Sequence, residues 1–364
     1  MLIPVQQFSS GPGSSGKWIT ITLIVILVAA IGFVGFAFYT TRKGPDQART
    51  VATFTAPTPP AAPQYSCPLD GTIVASHDAT TQRPIIVQID NAPAARDQTG
   101  LSKADIIYEA LAEGEITRFS AVYACHEADV VGPVRSARLI DFELVPEYQA
   151  LLANSGASEG VSSLLQANPD IPNIDDNAYH DVAYKRTRDR EAPHNLMTST
   201  SAIREAASGA GFPITASLQM LPFKDDSPAP AVTNIEVNYS VWANVRYKYD
   251  AASNSWLRFN GDAPNKDTAT GQQLAPKNVI VQFAPSFLSN IVEEQDGSHG
   301  MEYTLTGSGK VLVFRDGQVI QGIWVRANKG DVTQYLDAAN KPIPLNRGLT
   351  FVQIVDTNFQ PGWS

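Results

Sequence analysis

Two arginines three residues apart, Arg135 and Arg138, stand in the stretch GPVRSARLIDFEL between Gly132 and Leu144. Guanidiniums at that spacing can grip a phosphate or carboxylate through charge-assisted hydrogen bonds. Val134, Ala137, Ile140 and Leu144 form an apolar stripe at helical spacing. The stripe predicts a helix start with Pro133 at its first position, where a missing N–H costs nothing. Both arginines then fall in the first turns, where the helix dipole disfavours cations by a few tenths to about 1 kcal/mol. A bound anion would relieve that conflict and take up free helix N–H groups. Carboxylate partners would relieve it equally: Asp141 is within reach of Arg138, and Arg135 can pair with an acid from another segment.

Other residues are candidates for the same site. Asp90 and Asn91 end the run RPIIVQIDN, where Asp90 either caps the following loop or acts as a polar site residue or general base. Glu109 lies inside the apolar run DIIYEAL, so its carboxylate needs a partner, with Arg135, Arg138 and Arg118 as the candidates. His194 and Asn195 in EAPHNL either line a pocket, supplying acid/base chemistry, or make the local hydrogen bonds of a turn. Ser155, in the loop NSGAS (154–158), is placed to add backbone donors beside the arginines. Glu113 and Glu115 flank Gly114 in a turn and are expected to be solvated. The run YKRTRDR (184–190) reads as a solvated loop, or as a contact for an acidic polymer.

Metal ligation is not expected. The five histidines show no HxxxH or HxH spacing and the two cysteines no CxxC, leaving His180-Asp181 with Asp189 as a weak cation set. There is no GxSxG and no phosphate loop, so no cofactor is expected and enzymatic activity is left open.

These residues need elements to hold them. The chain has 364 residues, is 43% hydrophobic and 17% charged, and carries a net charge of −9, which supports packed cores. Lys17, Arg42, Lys43 and Arg49 against Asp46 give the first fifty residues +3, leaving −12 for the rest. An acidic body argues against nucleic acid as a partner. Residues 1–17 read as a tail. Residues 18–40 are free of charge up to Tyr39 and are expected to cross the membrane once as a helix. Residues 41–66, with five prolines, read as a spacer. Residues 67–215 alternate strand-like and helix-like runs and read as an α/β domain. Residues 231–357 have period-two patterning and read as a mainly antiparallel β domain, a sandwich or partly open barrel. Arg42, Lys43 and Arg49 favour a cytoplasmic body by the positive-inside rule, whereas the Pro-rich stalk suits a body outside. Cys67 and Cys125 are either a disulfide or two buried thiols.

Several motifs also occur together and in order: PLDG (68–71), RPIIVQIDN, ADIIYEALAEGEITRF, GPVRSAR, APHNL and, near the end, IPLNRGLTFVQIV. In these the chain resembles, over roughly 67–357, the YerB-like family of bacterial proteins built from domain-of-unknown-function family 3048. The resemblance implies a two-domain extracytoplasmic body tethered to the membrane, and no reaction. Members commonly have a lipidated cysteine, where this chain has an apolar helix. The resulting expectation is a single-pass cell-membrane protein with an outward-facing body that binds an anionic cell-envelope ligand. The alternatives are an envelope enzyme using Asp90, Glu109 or His194 as acid/base, and a scaffold for a protein partner.

Overall fold

The computed structural model describes residues 15–42, 64–294 and 296–364. Most of the predicted tail and the predicted spacer, residues 1–14 and 43–63, lies outside the described residues. The chain divides into two compact units, Met1–Ala62 and Pro63–Ser364.

In the first unit, α1 (Ser15–Arg42) has 28 residues and is about 42 Å long at 1.5 Å per residue. Its stretch Ile24–Thr41 has mean hydropathy 2.2 and none of it is buried. Among the described residues it is the one helix long and apolar enough to cross a bilayer.

The second unit is organised by a ten-stranded sheet. Its strands in chain order are β1 (Ile85–Asp90), β2 (Ile106–Leu111), β3 (Thr117–Tyr123), β4 (Leu151–Asn154), β5 (Asn173–Asp175), β6 (Asn278–Ala284), β7 (Gly307–Arg315), β8 (Gln318–Arg326), β9 (Gln334–Asp337) and β10 (Thr350–Asp356). Across the sheet they run β9-β8-β7-β6-β10-β2-β3-β1-β4-β5. The hairpins β2–β3 and β7–β8 are antiparallel, whereas β6, β10 and β2 are mutually parallel. Parallel strands are covered on both faces and read as continuous apolar runs, as in NVIVQFA of β6, buried at every position. Asp316 and Gly317, with φ of 57° and 69°, turn β7 into β8; such a two-residue turn matches the strand twist.

One face of the sheet, with Val87, Phe119, Val281 and Phe314, packs on a five-stranded sheet through Ile235, Tyr247 and Trp256. Helix α4 (Asp176–Ala183) and helix α5 (Thr200–Gly209) cover the same face. Helix α2 (Asp141–Tyr148) and helix α3 (Glu159–Ala167) cover the other, through Leu144, Tyr148 and Val161. Ser158 and Ser199 cap α3 and α5 with side-chain oxygens, satisfying backbone N–H groups that a helix leaves open. Cys67 and Cys125 form a disulfide across 58 residues, a closure worth about 4 kcal/mol in the chain-entropy model.

The fold class is as expected, an α/β part followed by a mainly antiparallel β part whose five-stranded sheet packs face to face on the long sheet. The strands of 231–357 are not separate from the α/β part, however. Five of them, β6 to β10, continue the sheet of the α/β part, because β10 pairs in parallel with β2 from Thr350–Ile106 to Gln353–Glu109. Nor does a helix begin at Pro133; α2 starts at Asp141. Strand β4 covers β1 only from Ile85 to Val87, and the segment 132–137 takes the remaining edge. Asp90 N–H donates to Pro133 O, Arg135 N–H to Gln88 O, and Ala137 N–H to Gly156 O. Those groups cannot also close helical turns.

Candidate functional site

The extended segment places Arg135 beside the end of β1, where β1 and β3 put Asp90 opposite Arg118 in register. An open cleft of about 580 Å³ lies here, lined by Asp90, Glu113, Arg118, Arg135, His194 and Glu294, among others. His194 arrives from a loop 104 residues downstream of Asp90, and its Nδ1 lies 2.8 Å from Asp90 Oδ2. An ionised carboxylate only accepts, so Nδ1 carries the proton and Nε2 is left as the imidazole's basic nitrogen. Arg135 Nε is 3.2 Å from the same Oδ2. Burial pushes the Asp90 carboxyl up. Arg118, the Ala92 N–H, Arg135 and His194 together outweigh it and hold the group below the usual carboxylate range.

Glu113 bridges two guanidiniums. Arg138 donates to it through Nε and Nη2, both at 2.6 Å, and Arg118 through Nη2 at 2.8 Å. Burial opposes ionisation of Glu113, but these contacts bring its carboxyl down to about 2. Arg118 is only 5% exposed. Burial, then the charge of Arg138, pulls its guanidinium down to about 10. Its Nε and Nη1 are buried and have no hydrogen-bond partner among the described residues. Glu293 and Glu294 approach Arg138 at 3.6 and 3.3 Å, and burial pushes both carboxyls up.

Of the site candidates named from sequence, the cleft brings together Asp90, Arg118, Arg135 and His194. The others lie elsewhere. Arg138 is held by Glu113 and gives its backbone N–H to Asp141 Oδ2 at 2.8 Å. Glu109 does not pair with Arg135, Arg138 or Arg118; its partner is Arg258, at 2.8 Å, with both side chains fully buried. Asn91 is wholly buried and donates to Glu109 and Thr117. Ser155 donates to Asp176 Oδ2, and in the same loop Gly156 N–H donates to Asp175, so these groups are spent within the fold. Asn195 bonds Arg186 Nη1 and the carbonyls of Thr187 and Arg190, shaping its own loop. His180 Nδ1 meets Asp176, four residues earlier.

Three groups were missed. Glu113, expected in solvent, is buried because Arg118 and Arg138 converge on the β2–β3 turn; nothing local marks it. Arg258 carries a legible signal: in SWLRFN it alternates with Trp256, and both face inward. Asp70, Asp105 and His126 bring ligand-type atoms within 4.8 Å of one another, from positions no short motif joins. Burial and the charge of Asp70 push the Asp105 carboxyl up to about 7.

The chain has clear relatives. Residues 69–213 match the family model described as Protein of unknown function (DUF3048) N-terminal domain, and residues 235–352 match the corresponding C-terminal domain. "Putative lipoprotein YerB" from Bacillus subtilis is 33% identical over 303 residues, covering 82% of this chain and 88% of that protein. The crystal structure of the YerB protein from Bacillus subtilis superposes with a TM-score of 0.73 at 30% identity, covering 82% of this chain and 99% of that one. With both domains matched in order and a relative of that similarity along most of its length, the chain belongs to the DUF3048 family.

Proposed function

We propose that α1 holds this protein in the cell membrane with residues 63–364 outside the cytoplasm, and that the cleft binds an anionic group of an envelope component. The observation that carries the reading is Arg118: a buried guanidinium on the cleft wall with two nitrogens lacking partners. A buried donor left unpaired costs about 1–3 kcal/mol, more when charged; both nitrogens are closed to solvent, so a carboxylate or phosphate oxygen that recovers that cost reaches them through a side-chain shift of Arg118 toward the cleft. Arg135, 23% exposed on its side chain, adds a second cation within the cleft. The disulfide supports an oxidising compartment. The name of the relative as a lipoprotein supports attachment to the envelope.

The test is calorimetric titration of the full-length protein in detergent with inorganic phosphate and with citrate. Arg118→Gln should abolish binding and, because it also removes a partner of buried Glu113, lower the melting temperature. Arg135→Gln, at a side chain 23% exposed, should weaken binding while the melting temperature nearly holds, and binding by both variants equal to the native protein refutes the reading. External protease added to spheroplasts should remove the body, and full protection would reverse the orientation. The Asp90–His194 hydrogen bond favours a second reading, an envelope enzyme with His194 Nε2 as general base. Under that reading, His194→Gln removes turnover of an envelope substrate and leaves phosphate binding intact.

A further inference from the structure

We propose that the ligand of this cleft is an acidic oligosaccharide, with a sugar ring stacked on Trp242 and its carboxylate or phosphate directed to Arg118. This rests on the anion-binding reading above and adds the chemistry of the rest of the ligand.

Val241 and Trp242 form the tip between strands Asn234–Asn238 and Asn244–Asp250 and are 83% and 57% exposed. An isolated exposed apolar residue means little. This tip, however, is fastened by hydrogen bonds to two segments that adjoin the cleft lining. Ser240 Oγ donates to Glu115 O at 2.6 Å, and Glu115 lies between Gly114 and Ile116, both on the cleft wall. Arg96 Nη2 donates to Trp242 O at 3.0 Å while its Nε donates to Asn91 O at 3.1 Å, next to Ala92, which also lines the cleft. Ser240 Oγ also accepts the N–H groups of Trp242 and Ala243, and Tyr239 OH donates to Glu109 O. The indole is thus carried on a fixed backbone, and a rigid aromatic loses little conformational entropy on contact.

The cleft's charges narrow what lies against it. Besides Arg118 and Arg135 it is lined by Asp90, Glu113, Glu294 and Asp296, so acids outnumber arginines. A densely charged polyanion would meet those carboxylates. A ligand with one acid per ring and several hydroxyl donors satisfies both kinds of wall, because hydroxyls donate to Glu294, Asp296 and Ser298 while the acid takes the guanidinium. A pyranose also has an apolar C–H face to set on the indole. A glutamate peptide brings a similar charge spacing without the hydroxyls or the flat face.

The experiment titrates the full-length protein in detergent with trigalacturonic acid, maltotriose, triglutamate and inorganic phosphate. Trigalacturonic acid should bind at least tenfold more tightly than each of the others. Trp242→Ala should weaken trigalacturonic acid about tenfold, the scale of losing one aromatic stacking contact, leave phosphate unchanged, and be rescued largely by Trp242→Phe. Because Trp242 is exposed, the variant should keep its melting temperature. Triglutamate binding as tightly as trigalacturonic acid, or an unchanged Trp242→Ala variant, overturns the inference. Phosphate binding that depends on Arg118 without any preference for the saccharide sinks this inference alone; loss of all anion binding sinks the anion site with it.

Discussion

The buried pair Glu109–Arg258 offers the sharpest test of what holds the two halves of the second unit together. Glu109 sits on β2, Arg258 on the five-stranded sheet, and Arg258 Nη2 lies 2.8 Å from Glu109 Oε2 with both side chains inaccessible to solvent. At that distance the Coulomb attraction is roughly 6 kcal/mol for an effective dielectric of 20, and desolvation of both ions offsets much of it. Glu109 also accepts from Asn91, Thr117 and Gln353, and the Arg258 guanidinium lies 5.1 Å from the ring centres of both Phe119 and Phe351. In Glu109→Gln one carboxylate oxygen becomes an NH2 that faces two existing donors, and Arg258 is left charged and buried, a situation that costs about 3–5 kcal/mol. At roughly 2–4 °C per kcal/mol for a domain of this size, the melting temperature of the full-length protein in detergent should drop by about 10 °C. Arg258→Met added to Glu109→Gln should recover part of that loss, because the stranded charge goes with it. A drop below about 2 °C, or a double variant whose losses simply add, would refute the argument that an uncompensated charge is the cause.

Three further outcomes are expected. Replacing Cys67 and Cys125 together by Ala should lower stability by about 4 kcal/mol; a reductant should reproduce the drop in the native chain and do nothing to the variant, and equal melting of the two proteins counts against the cross-link. Burial, reinforced by Asp70 at Asp105, raises Asp105 and Asp141 to about 7. The folded protein therefore keeps protons that the unfolded chain has released above about pH 4, and stability should fall as pH rises from about 4 to 7, a slope that Asp105→Asn should flatten in thermal melts. Glu113 acts in the opposite sense at low pH. Lowered to about 2 by Arg138 and Arg118 against the effect of burial, it contributes stability above about pH 4.5 that is lost as pH falls towards 2, and a Glu113→Gln melting curve that keeps this acid limb would show the assignment to be wrong.

How far the molecule was legible depends on the range over which each feature is encoded. The uninterrupted apolar run of α1, the serine caps at Ser158 and Ser199, the buried runs of β1 and β6 and the Asp316–Gly317 turn are local features, and each appears in the structure where its residues place it. The same kind of reading misled at Val134, Ala137, Ile140 and Leu144. Their spacing is helical, but the residues up to Ala137 belong to an extended segment whose backbone hydrogen bonds go to the uncovered end of β1 and to Gly156. Local pattern cannot register a neighbouring strand edge. Among the candidate site residues, Asp90, Arg118, Arg135 and His194 were named for their types and places in loops and strands, while their convergence depends on β1 lying between β3 and β4 and on a loop returning from 104 residues away. Glu109 was sent to the wrong arginine for the same reason, its true partner lying 149 residues on. The disulfide remained open in the sequence because two cysteines alone fix no distance; the fold brings their Cα atoms to 5.9 Å. Periodicity, caps and turns act over a few residues and can be read along the chain. The pairing of buried charges, the order of the strands and the walls of the cleft are set by contacts between distant segments, whose energies exist only once the sheet is assembled.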